Sequence, residues 1–398
     1  MYSISDAMIT MRMRLTHNMQ EDDSIHSEWK NGGFSIEQAA RGVDTVRRIG
    51  VVATSMNILG GQGVQADLLV KNLRSGGCRV DFIPVDPVFP RYIAWLRRFR
   101  YLRTVVNQTL YIPLLLMLRH ASVVHIFSAS YWSFLLAPMP AMLIAQLMGK
   151  KTVLHYHSGE ADDHLSRWGV LVHWPLRFAD EIVVPSNYLR KVFHKHGYSA
   201  TVVNNIVQCE HFSYRRRDAV RPILLSMRNL ERHYRIDLVI KAFALVTQHY
   251  PGAILTICGY GSEERSLLAL ASSLGLSGIR FVGRVEQEQV PDLYDASDIM
   301  INASEVDNQP VSILEAFAAG IPVVSSDVGD VRDMLRNGRA GMLVPPNNHV
   351  LLAMAVMELL EKPKLAVSLA NQARESLDQY SWEGVSEKWF RIYTRQPA

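Results

Sequence analysis

"RRIGVVATSMNILGGQGVQADLLVKNLRSGGCRVDFIPV" spans residues 47–85. It begins with a short apolar run that ends in small and polar residues. A turn rich in glycine follows at Gly60, Gly61 and Gly63, and apolar residues then recur at helical spacing from Val64 to Leu73. Another strand-like run covers 78–85. The order strand, glycine-rich loop, helix, strand predicts the opening of a parallel, doubly wound α/β sheet.

The pattern continues outward. "ASVVHIF" (121–127), "KTVLHYH" (151–157) and "DEIVVPS" (180–186) read as further strands. Near residue 206 it turns irregular. "QCEHFSYRRRDAVRP" (208–222) is polar, basic and ends in proline, which reads as a linker. A second α/β series then runs from "RPILLSMR" (221–228) to "PVVSSD" (322–327). The expected divisions are a flexible or appended tail at 1–45, a first domain at 46–207, a linker at 208–217, a second domain at 218–380, and a closing helical segment at 381–398. Ligand space is expected where the strand ends of the two domains face each other.

Composition narrows the function classes. The chain has 398 residues, 48% of them hydrophobic and 20% charged, enough apolar surface for a large core. A net charge of +4 is small for this length and argues against nucleic acid as a partner. Cys78, Cys209 and Cys258 are scattered without metal-ligand or disulfide spacing, which predicts buried thiols in a reducing, cytoplasmic compartment. The first residues lack the apolar core of a signal peptide. The most hydrophobic region, 105–148, is broken by Arg119, His120, Pro138 and Pro140 into pieces too short to span a bilayer.

"EVDNQPVSILEAFAAGIPVV" (305–324) carries the densest chemistry. Pro310 suits a first helical turn, where its missing N–H would be unbonded anyway. Val311, Ser312 and Ile313 then offer backbone N–H groups, and Gly320 suits a left-handed cap. Asp307 and Glu315 flank this helix start with seven residues between them. Their plain alternatives are a loop cap and a partner of the helix dipole. His155 and His157 fall on one face of a strand by alternation. With His164 and the acids from Glu160 to Asp163 they could suggest a metal site. A strand end and a loop fix no ligand geometry, and no metal is expected.

These stretches together resemble glycosyltransferase family 4. The resemblance rests on "GGQGVQ", "HYHSGEA", "VVPSNYL", "SMRNLE", "CGYGSEE", "FVGRV", the acid-x7-acid segment and "SWEGVSEKWFRIY", in family order over residues 47–394. It implies the GT-B fold, two Rossmann-like domains with a C-terminal helix crossing back to the first. It also implies a nucleotide-sugar donor, retention at the anomeric carbon and no cofactor. Charge growing on the leaving pyrophosphate would then be met by helix amides, glycine-rich backbone and basic side chains.

Carried over residue by residue, the resemblance places Glu315 on the donor ribose and Asp307 on the donor sugar. Asp307 stands where the family has glutamate, so it reaches one methylene less far. Arg228 takes the pyrophosphate. The usual lysine falls on His233 or Tyr234, so Arg232 or Arg235 is left to deliver that charge. His157 meets the sugar. Gly60, Gly61 and Gly63 let backbone approach the donor, Gly259 and Gly261 hold the base and ribose, and Arg284 walls the base pocket.

The implied partners are a nucleotide-sugar donor and a glycan or lipid-linked acceptor of cell-surface polysaccharide or glycolipid assembly. "PRYIAWLRRFRYLRTVV" (90–106) interleaves arginine with aromatics, which predicts a helix in peripheral contact with an anionic membrane surface. Two alternatives stay open: a non-catalytic relative that binds sugar nucleotides, and a GT-B sugar-nucleotide epimerase.

Overall fold

The computed structural model describes residues 48–55 and 61–395; the tail at 1–45 and Gly60 lie outside the described residues. Among these residues the strands form two six-stranded sheets. The first holds β1 (Arg48–Ala53), β2 (Arg79–Pro84), β3 (Val123–Ser128), β4 (Lys151–Tyr156), β5 (Glu181–Val184) and β6 (Thr201–Val202). Its spatial order is β2-β1-β3-β4-β5-β6. The second holds β7 (Ile223–Met227), β8 (Ile254–Cys258), β9 (Ile279–Gly283), β10 (Ile299–Asn302), β11 (Val323–Ser326) and β12 (Met342–Val344), ordered β12-β11-β10-β7-β8-β9. All pairings are parallel.

Parallel strands need helical crossovers, which cover both faces. β3 and β4 are buried along their whole length for that reason. The winding direction reverses between β1 and β3, and again between β7 and β10. Open sheets of this kind bind ligands outside the carboxyl ends of such strand pairs.

The glycine turn differs from expectation in one detail. Its helix starts at Gly61 and runs to Ser75, so Gly61 and Gly63 lie inside the first turn. The arginine–aromatic segment differs more. It is not one helix but a 3-10 stretch, Arg91–Arg98, and an α-helix, Arg100–Leu114, separated by extended Phe99.

The linker arginines have a structural task. Arg217 is buried, and its guanidinium donates to the carbonyls of Tyr294 (3.1 Å), Ser297 (2.8 Å), Ala319 (2.8 Å) and Gly320 (3.0 Å). These carbonyls lie at the C-terminal ends of two helices, Val290–Ala296 and Val311–Ala319, where helical partners run out; that of Tyr294 also takes the Ser297 N–H at 3.2 Å and that of Ala319 the Arg215 N–H at 3.3 Å. The last helix, Trp382–Thr394, returns to the first sheet. There Val385, Trp389, Ile392 and Tyr393 pack into the cluster that contains Ile49, Val51 and Val153. Each fully buried large side chain contributes about 1.5–3 kcal/mol, so four anchors hold the helix firmly. Cys78 and Cys258 are buried, Cys209 is partly buried, and all three are free thiols.

Candidate active site

The helix Val311–Ala319 starts at extended Pro310 and ends at Gly320, whose φ of 70° is left-handed. Its body is sunk in the second domain, so only its N-terminal end is available to a ligand. Ser312 and Glu315 line a cavity of about 190 Å³ together with Arg228, Gly259 and Arg284, and with Gly61 from the first domain. Val311 borders it as well. Ile313 does not: its side chain is wholly buried and its N–H is taken by the Pro310 carbonyl at 3.1 Å. The Ser312 hydroxyl is buried without a hydrogen-bond partner. A buried, unsatisfied hydroxyl at a cavity wall is a costly arrangement unless a ligand completes it.

Glu315 is buried and accepts a hydrogen bond of 2.8 Å from the Tyr294 hydroxyl. Burial pushes its carboxyl up to about 7, against the opposing pull of Tyr294 and Arg228. Arg228 follows β7 and is equally enclosed. Its guanidinium pairs with Asp307, donates to Asn302 Oδ1 at 3.3 Å and lies 4.9 Å over the Tyr234 ring. Burial lowers the Arg228 pKa from its ordinary value. The second Asp307 oxygen accepts the Asn308 N–H at 3.0 Å. Both Asp307 oxygens are therefore engaged within the protein, and contact with a sugar requires exchange of one of them.

Two glycines allow this compact arrangement. A Cβ on Gly259, which has φ 135°, would stand 2.2 Å from the Arg228 carbonyl oxygen, and one on Gly261 would stand 2.4 Å from that of Leu230. Without side chains the two loops lie against each other, joined by Arg228 N–H to Cys258 O (3.1 Å) and Leu230 N–H to Tyr260 O (3.0 Å). Gly259 borders the cavity; Gly261 supports it from behind.

Arg235 is placed differently from the sequence expectation. Its backbone is left-handed (φ 50°), and its guanidinium is held by Asp237 at 3.0 Å and by Asn347. Tyr234, not Arg235, faces the cavity.

Across the cleft, His157 stacks on Phe127 with centroids 5.2 Å apart and lies 4.0 Å from His155. Burial drives its pKa down to about 3, so the ring is neutral at pH 7. Its Nε2 is buried without a partner. Gly63 is buried within its helix and does not reach the cavity wall. A Cβ on Gly61 would lie 4.0 Å from Val311 Cγ2, which brings the two helix starts face to face.

Sequence reasoning missed the loop that ties the halves together. Asn308 pairs with Ser186 and donates to the His157 carbonyl at 3.4 Å. Gln309 accepts the Asn205 N–H at 2.6 Å, and its carbonyl takes the Asn205 amide at 2.9 Å. Asp330 joins this seam by accepting the Tyr188 N–H at 3.3 Å, and burial raises its carboxyl to about 7. The run Asp307–Asn308–Gln309 of polar residues at a helix start was the available signal.

The family description "Glycosyltransferase Family 4" matches residues 59–211, and "Glycosyl transferases group 1" matches 210–376. The chain belongs to the family 4 glycosyltransferases. Glycogen synthase of Mycobacterium tuberculosis is 28% identical over 271 residues, covering 64% of this chain and 65% of that enzyme. Phosphatidyl-myo-inositol mannosyltransferase of Mycobacterium leprae is 28% identical over 232 residues, covering 56% and 61%. The chain thus spans a little under two thirds of the length of these two relatives. Sucrose-phosphate synthase of Thermosynechococcus elongatus superposes with a TM-score of 0.70 at 18% identity, over 87% of this chain and 98% of that one. HepE of Anabaena, crystallised with UDP and glucose, superposes at 0.68 and 16% identity, over 88% and 100%. These structures establish the GT-B fold. This family 4 glycosyltransferase presents Tyr234 to the cavity close to where the resemblance implies a lysine.

Proposed function

We propose that the protein transfers a sugar from a nucleotide-sugar donor to a glycan or lipid-linked acceptor, with retention at the anomeric carbon and without a metal. The observation that carries this reading is the unpartnered Ser312 hydroxyl at a buried helix start, beside Arg228 and Glu315. A pyrophosphate fits there: helix amides, a hydroxyl and a guanidinium are the groups that stabilise phosphate oxygens. Glu315 offers acceptor oxygens to ribose hydroxyls, and Arg284 borders the base. UDP and glucose in the HepE crystal make uridine the first base to test.

In the step proposed, the bond from the anomeric carbon to the leaving phosphate oxygen breaks. The acceptor oxygen bonds to that carbon on the same face, and its proton passes to the released phosphate oxygen. Arg228 stabilises the growing phosphate charge, and neutral His157 can hydrogen-bond the sugar. In the absence of acceptor, slow donor hydrolysis is expected to release sugar of the donor's own anomeric configuration, read by proton NMR before mutarotation. Release of the opposite anomer would contradict retention. Activity is expected to survive EDTA; loss on chelation with recovery in Mg²⁺ or Mn²⁺ would contradict a metal-independent step.

The proposed setting is the cytoplasmic membrane face, in cell-surface polysaccharide or glycolipid assembly. No helix among the described residues is long and apolar enough to cross a membrane. From Pro87 to Gly159 the chain has no Asp or Glu, while it carries Arg91, Arg97, Arg98, Arg103 and Arg119. Tyr92, Trp95, Phe99 and Tyr101 are exposed there. Such a surface suits anionic headgroups, at about 1 kcal/mol per basic residue, weakened by salt. Replacing Arg97, Arg98 and Arg103 by Glu is expected to abolish co-sedimentation with phosphatidylglycerol vesicles at low salt while nucleotide binding persists. A parent protein that never co-sediments would remove the membrane from the account.

A further inference from the structure

Between β7 and the helix Ile236–His249 the chain makes a short 3-10 turn, Arg232–Tyr234, ahead of left-handed Arg235. The turn is pinned from two sides. The Tyr234 N–H donates to the Glu231 carbonyl at 3.0 Å, and the His233 carbonyl accepts the Glu305 N–H at 2.8 Å. A left-handed backbone is uncommon outside glycine, and here it accompanies an Arg235 guanidinium turned onto Asp237. Tyr234 is the residue of this turn that lines the donor cavity.

The Tyr234 ring and the Tyr234 hydroxyl stand in different situations. The ring packs against the cluster that contains Leu230 and Ile236, lies 4.1 Å from the His233 ring and covers the Arg228 guanidinium at 4.9 Å. That guanidinium is held along its edges as well, at Nε by Asn302 Oδ1 (3.3 Å) and at Nη2 by Asp307. Asn302 is itself fixed: it is wholly buried, accepts from the Ser304 hydroxyl at 2.8 Å and donates to Ser325 Oγ at 2.9 Å. Ring and guanidinium therefore keep one relative placement. The hydroxyl has no hydrogen-bond partner among the described residues, although its residue borders the cavity. Burial lowers the Arg228 pKa, and Tyr234 is near enough to oppose that shift.

We infer that the Tyr234 hydroxyl is a hydrogen-bond donor to the donor nucleotide's terminal phosphate, the one next to the sugar. The inference rests on the nucleotide-sugar reading above. On that reading Arg284 borders the base, and Arg228 with Asp307 marks the sugar end, where the Tyr234 ring lies over Arg228. Arg228 is already paired with Asp307, so a pyrophosphate meets a guanidinium whose charge is partly balanced. A phenol adds no charge of its own. Its O–H is nevertheless a strong donor to an anionic oxygen, about twice as strong as to a neutral one. The ring thus positions Arg228 from one face, and the hydroxyl supplements it at the phosphate that becomes the leaving group.

The test is calorimetry on the full chain with UDP, GDP and ADP and with the matching monophosphates, for the parent, Tyr234→Phe and Tyr234→Ala. Tyr234→Phe keeps the ring over Arg228 and removes the hydroxyl alone. It is expected to weaken the diphosphate that the parent binds best by about tenfold or more. Affinity for the matching monophosphate and the melting temperature of the unliganded protein should not change. Tyr234→Ala also uncovers Arg228 and is expected to weaken the diphosphate further. If Tyr234→Phe binds the diphosphate as the parent does and only Tyr234→Ala is weakened, the ring positions Arg228, the hydroxyl contributes nothing, and the inference is overturned. Equal losses for monophosphate and diphosphate would overturn it too, because the hydroxyl would then not act at the terminal phosphate. A parent that binds none of these nucleotides would instead refute the donor reading, and the inference with it.

Discussion

Arg228→Ala is expected to lower turnover about 10³-fold under saturating donor and acceptor, with a smaller loss in donor binding. Charge on the leaving pyrophosphate peaks in the transition state, and Arg228 is the enclosed cation bordering the phosphate helix. The same change strands Asp307. Removing one partner of a buried ion pair leaves an uncompensated charge, at a cost of about 3–5 kcal/mol in stability. The two effects are separable. In Arg228→Ala/Asp307→Ala the unpaired charge is gone, so the melting temperature should recover while turnover stays low. Steady-state kinetics and thermal unfolding on the two variants check this. Turnover equal to the parent in either variant would remove Arg228 from the phosphate.

Glu315→Gln is expected to act in opposite directions on binding and stability. Losing a charged hydrogen-bond acceptor should weaken donor binding by about 1.5–3 kcal/mol, read by calorimetry. Stability should rise. The Glu315 carboxyl is raised from 4.5 to about 7 by burial, so between those values the folded state holds a proton that the unfolded state has released. Its stabilising contribution is present below pH 4.5 and is lost as pH rises through 7. The neutral glutamine avoids that loss, worth about 3 kcal/mol at pH 8. Donor affinity of the parent should increase from pH 6 to 8 as the carboxylate forms, and the slope should vanish in Glu315→Gln. Unchanged donor affinity in the variant would take Glu315 out of the site. Asp330, raised by burial in the same way, adds its own decline in stability over this range and remains in the variant as an internal comparison.

The sequence made some of this visible and concealed the rest for physical reasons. Strand–turn–helix periodicity is local, so both sheets were legible from runs such as 47–85 and 221–228. The start and stop of the helix Val311–Ala319 were legible because Pro310 and Gly320 act on their own backbone. What a side chain meets across 79 residues of sequence is not local. That Arg228 pairs with Asp307, or that Arg235 is occupied by Asp237 while Tyr234 turns inward, depends on loop packing that no spacing reports. The segment 208–222 read only as a linker because an arginine that closes two helix ends has no sequence signature distinct from a free one. The amides of Asn308 and Gln309 were hidden likewise, since their partners belong to the other domain.

The central claim is that the cavity beside Ser312, Glu315 and Arg228 holds a nucleotide diphosphate. Thermal unfolding of the parent protein with UDP, GDP, ADP and their sugar conjugates tests it most directly. A ligand that binds only the folded state stabilises it by about 2.7 kcal/mol at a hundredfold excess over Kd. One nucleoside diphosphate is expected to raise the melting temperature in a saturable way. The shift should be strongly reduced in Glu315→Gln. If none of these nucleotides changes the parent's melting temperature at millimolar concentration, the cavity is not a donor site and the account is wrong.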